Sequence, residues 1–100
     1  SMGGLYATCI KDVPVVLVNP GIGIEKIWPE FREVSRESKR NKELNLLKIF
    51  IGTEDTHKDF LLPNVIERFG ENMIEYMPGV KHVPTKEEVR KYIIRYIKSL

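Results

Sequence analysis

One hundred residues, 42% apolar and 30% charged, make one globular domain large enough to bury a core without disulfide or metal staples. Sixteen Lys and Arg against fourteen Asp and Glu leave a net charge of +2, too small on its own to argue for nucleic acid. The single cysteine, Cys9, excludes an internal disulfide or a cysteine metal cluster and points to a reducing intracellular setting, cytoplasmic or nuclear. No apolar run approaches the length of a bilayer span and no charged-then-apolar leader is visible, so neither membrane insertion nor secretion is expected. Ser1-Met2 reads as an expression remnant, and residues 1–100 as a single domain excised from a larger protein.

In chain order, Leu5 to Ile10 has strand composition and is expected to form an extra N-terminal edge strand. The near-continuous apolar run Val13 to Val18 predicts a strand buried on both faces, with Pro14 at its start. Ile24, Ile27, Trp28, Phe31, Val34 and Ser38 follow a 3.6-residue period, and Pro29 makes this helix start or kink near Trp28. Its second half, Arg36 to Lys42, is polar and expected in solvent. Leu46 to Ile51 is a second buried strand ended by Gly52, with Asp55 or Thr56 as the cap of the next helix. Pro63 divides that stretch into a loop or turn over His57 to Leu62 and a short helix over Pro63 to Phe69, stopped by Gly70. Met73 to Met77 reads as a third strand, Pro78-Gly79 as a type II turn, and Val80 to Val83 as the antiparallel return strand. Thr85 and Glu88 form a capping box for a last helix whose apolar stripe is Val89, Tyr92, Ile93, Tyr96, Ile97 and Leu100.

The order β-α-β-α-β-β-α predicts an α/β domain with a mixed sheet covered by helices. In topology it resembles the minimal thioredoxin fold. The redox residues of that fold do not accompany it. Pro20-Gly21-Ile22-Gly23 stands where a Cys-x-x-Cys pair would lie, and Glu71-Asn72 where a proline would precede the third strand. Thiol-disulfide chemistry is therefore not expected.

Candidate chemistry gathers at the carboxyl ends of the two buried strands, where open α/β sheets bind ligands. The loop Asn19-Pro20-Gly21-Ile22-Gly23 offers backbone amides to an anion, with Asn19, Gly21 and Gly23 as binding candidates. It is also an ordinary strand-to-helix turn. Glu54, Asp55 and His57 lie at the same edge and have the residue types for acid-base work, or simply begin a helix. The other histidine, His82, is placed far off in the hairpin. Trp28 reads as core more readily than as the wall of a groove. Arg32-Glu33-Val34-Ser35 has the pattern of a basophilic phosphorylation site at Ser35. On the last helix, Arg90, Lys91, Arg95 and Lys98 surround Ile94, a basic face with one apolar anchor that suits an acidic partner and salt-sensitive binding, or is plain solvated surface.

These features lead to the expectation of a non-catalytic interaction module whose partner is another protein or another domain of its own chain, with no metal and no cofactor. The alternatives are part of an enzyme that binds a small anionic ligand at the glycine loop, and weak RNA or phosphate-backbone binding through the last helix.

Overall fold

Period-two alternation sets the architecture. In the computed structural model, which describes residues 1–100, β1 (Pro14–Val18) buries Val15 and Leu17 and turns Val16 and Val18 outward. β2 (Asn45–Gly52) runs parallel to it, with Leu17 opposite Ile49 and Val18 opposite Phe50. β3 (Ile74–Met77) runs parallel along the other side of β2. The sheet is thus three parallel strands in the order β1-β2-β3. Four helices complete the α/β domain: α1 (Met2–Ala7), α2 (Arg32–Arg40), α3 (Lys58–Phe69) and α4 (Lys86–Ser99). None is long and apolar enough to cross a membrane.

Two crossovers of one hand between strands in sequence order put their helices on the same face. There Val15, Leu17, Ile49 and Ile51 pack against Leu5 of α1 and against Leu61 and Val65 of α3. On the other face Phe50, Met77 and Val80 meet Tyr92 of α4. The Phe50 ring lies 5.8 Å from Tyr92 and 6.4 Å, edge-on, from Tyr96. The α4 stripe is only partly used, because the sheet beneath it is narrow. Tyr92 is 5% exposed, whereas Ile93 and Ile97 are 49% and 59% exposed. Tyr92→Ala should accordingly destabilise by about 3 kcal/mol or more, and Ile97→Ala by no more than about 0.5 kcal/mol. Equal losses in a urea melt would contradict this placement of α4.

The sequence-based expectations need correcting at several elements. The N-terminal segment is a helix, not an edge strand. Leu5 and Thr8, three apart, are both buried, and the Thr8 hydroxyl bonds the Leu5 carbonyl and Ser38 of α2. The sheet is parallel rather than mixed, because no return strand forms at Val80 to Val83. The Pro78-Gly79 turn itself is present, with the Val80 amide bonding the Met77 carbonyl at 3.2 Å and Gly79 at φ +74°. A type II turn splays its flanking strands instead of matching their twist, and the chain after it moves across the end of β2. The antiparallel hairpin that a thioredoxin-like order requires is therefore absent. β1 is open on one face, not buried on both. Trp28 is exposed rather than core, and Pro29 starts a short 3-10 turn before α2. Pro63 lies inside α3, which runs unbroken from Lys58; burial of Leu61 and Val65 on either side of the proline outweighs its missing amide bond.

Candidate active site

The carboxyl ends of the strands converge on a cavity of about 340 Å³. Ser1, Gly21, His57 and His82 are among its lining residues, with Ile24, Trp28 and Phe60 among its apolar walls.

Asp55 anchors the polar side. It follows β2 by three residues, at the tight turn where its own amide bonds the Gly52 carbonyl at 3.2 Å. Its carboxylate is buried. One oxygen accepts the His57 amide at 2.8 Å, an Asx turn leading into α3, and the other meets Nδ1 of His82 at 2.9 Å. A carboxylate only accepts hydrogen bonds, so Nδ1 carries the hydrogen, and in the neutral imidazole this leaves the lone pair on Nε2. The His57 ring packs edge-on against His82, centroids 4.8 Å apart.

His82 arrives here because the type II turn redirects the chain. The Glu54 amide bonds the Val80 carbonyl at 3.0 Å. Gly52 allows the approach: a Cβ there would lie 2.9 Å from the Val80 carbonyl carbon and 3.1 Å from the Lys81 oxygen. Ser1 stands just ahead of α1. Its carbonyl accepts the Gly21 amide at 2.5 Å and the Gly4 amide at 3.1 Å, and its amino group donates to the Asn19 carbonyl. Burial lowers the pKa of that amino group, and the charge of Asp55 partly offsets the effect. Ser1 therefore lies within the field of the same carboxylate that holds His82.

Of the residues singled out by sequence, Gly21, Asp55 and His57 meet at this cavity or in the pair behind it. Asn19 is fully buried with its side chain engaged by backbone groups. Gly23, at φ +91°, faces a separate shallow hollow beside Asn64. Glu54 points to solvent. No Lys or Arg lines the cavity, so no side-chain cation meets an anion there. Ser35 is buried, out of reach of a modifying enzyme in the folded state. Arg90, Lys91, Ile94, Arg95 and Lys98 are exposed on α4, with Arg95 3.4 Å from Glu75 and Lys91 above the Tyr92 ring. Cys9 lies away from the cavity, its thiol pKa raised by burial and by Glu37 and lowered in part by Arg68.

Two residues escape the sequence reading. His82 falls in a hairpin that does not form. Ser1 reads as a remnant, although the order Ser, Asp, His is available along the chain. Comparison with protein-family models, curated proteins and solved structures found no match to this chain.

Proposed function

We propose that this domain carries a Ser-His-Asp acyl-transfer site and hydrolyses small, uncharged carboxylic esters. The observation that carries the reading is the pair of buried Asp55 and half-buried His82, 2.9 Å apart, opening onto the cavity that Ser1 also lines. In this reading Ser1 is the nucleophile, His82 the base and Asp55 the group that orients the imidazole. Nε2 of His82 takes the Ser1 hydroxyl proton as Oγ attacks the ester carbonyl carbon. The C–O bond to the alcohol breaks, and the imidazolium returns its proton to the departing oxygen. Water, deprotonated by the same imidazole, then releases the acid and restores Ser1. The order Ser, Asp, His, with the serine leading into a helix beside a parallel sheet, resembles that of α/β-hydrolase-type enzymes. The apolar walls and the absence of a lining Lys or Arg favour a neutral acyl group of a few carbons over an anionic ligand.

A p-nitrophenyl ester series tests this. Turnover should peak at short acyl chains that fill the cavity and fall for long ones. Ser1→Ala should lose at least about 10³-fold in kcat. A parent protein without activity, or a Ser1→Ala variant as active as the parent, would refute the assignment.

A second reading, a non-catalytic interaction module in an intracellular setting, draws on the exposed apolar stripe of α4 and the basic side chains beside it. It involves a different surface and is compatible with the first.

A further inference from the structure

His82 lies in the irregular segment between β3 and α4, so no strand ladder or helix fixes its backbone. Its place over the cavity depends on the backbone bond from the Glu54 amide to the Val80 carbonyl and on side-chain ties, most of which come from one residue. Asn19, at the end of β1, is fully buried and sits at φ +44°, a conformation Asn tolerates better than most residues. Its Nδ2 donates to the Lys81 carbonyl at 3.1 Å and to the His82 carbonyl at 2.9 Å. Its Oδ1 accepts the Gly52 amide at 2.7 Å, three residues before Asp55. Its own amide bonds the Phe50 carbonyl at 2.9 Å, and its carbonyl accepts the Ser1 amino group. One residue therefore touches all three segments that carry Ser1, Asp55 and His82.

We propose that Asn19 is the positioning residue of this site, a single amide clamp that holds the His82 backbone in register with Asp55 and Ser1. Its effect on turnover rests on the proposed hydrolase reading; its effect on the Asp55–His82 hydrogen bond does not. A clamp that sets a base within reach of a nucleophile acts on the chemical step, since small displacements there slow the reaction more than they weaken binding.

The test uses Asn19→Gly, because glycine accepts φ +44° and the substitution removes only the side-chain bonds. The control is Asn41→Ala. Asn41 likewise bridges two carbonyls, those of Thr8 and Ile10, but away from the cavity. Proton NMR reads the downfield Nδ1 resonance of His82, and ester kinetics read kcat and KM. Asn19→Gly should broaden or lose that resonance and lower kcat by roughly 10- to 100-fold with KM within about three-fold. Asn41→Ala should melt earlier with both readouts unchanged. A folded Asn19→Gly protein that keeps the resonance and kcat overturns the proposal. Loss of the resonance in a protein whose parent hydrolyses no ester upholds the clamp and sinks the hydrolase reading instead. Should Asn19→Gly fail to fold, exchange of the Asn19 side-chain amide protons in the parent decides. Strong protection supports the clamp, and exchange at the rate of free asparagine overturns it.

Discussion

Asp55→Asn is expected to leave the domain folded and lower kcat for a short-chain p-nitrophenyl ester by about 10⁴-fold, with little change in KM. The amide keeps the size of the carboxylate and can still accept the His57 amide through Oδ1, the bond that starts α3. The oxygen that faces His82 Nδ1 at 2.9 Å is replaced by an NH₂ group, which donates where the carboxylate accepted. The imidazole then turns or changes tautomer, and Nε2 no longer has a lone pair for the Ser1 proton. Far-UV circular dichroism checks the fold and steady-state kinetics check the rate. A variant within tenfold of the parent would mean that Asp55 holds a loop and nothing more.

The largest loss of stability expected from a single added methyl group is at Gly52. Gly52→Ala forces a Cβ into the Val80 carbonyl, a backbone group with nowhere to go because the Glu54 amide already holds it at 3.0 Å. Relief requires the 80–82 segment to leave the end of β2, so the loss should be about 2–4 kcal/mol, at the upper end for overpacking. His82 travels with that segment, so activity should fall together with stability. Gly3→Ala is the comparison: a Cβ there meets nothing, and alanine in α1 should be neutral or stabilising by up to about 1 kcal/mol. Chemical denaturation of the two variants checks the contrast. A Gly52→Ala protein as stable as the parent would show that the β2 end and the His82 segment are not in close contact.

What is legible in the sequence is local. Val13 to Val18 and Leu46 to Ile51 read as strands because β-branched and apolar residues run together beside glycine and proline signals; β1 starts one residue later, at Pro14, and β2 contains the whole second run. The capping box is present in both directions, with the Glu88 amide 3.1 Å from Thr85 Oγ1 and the Thr85 amide 2.8 Å from Glu88 Oε1. α1 is hidden because Gly3 and Gly4 are poor helix formers and Leu5 alone gives no stripe. The Pro78-Gly79 pair reveals the turn type, but not its consequence, a chain splayed away from β3 rather than paired with it. That one step separates His82 from Asp55, which lie 27 residues apart along the chain and 2.9 Å apart in space. Gly21 and His57 can be assigned to one cavity in advance because the carboxyl ends of parallel strands share one edge of the sheet. The apolar walls at Trp28 and Phe60 depend on how α3 and the 3-10 turns pack, which no local pattern encodes.

The most direct test of the Ser1–His82–Asp55 assignment is covalent capture of the nucleophile. A fluorophosphonate ester reacts with an activated serine by forming an Oγ–P bond and expelling fluoride, and peptide mass mapping locates the product. The folded protein should carry one adduct, on Ser1, and the adduct should be lost in His82→Ala and in urea-unfolded protein. No adduct, an adduct on Ser35, Ser38 or Ser99 instead, or labelling of Ser1 that is indifferent to His82 would contradict the assignment.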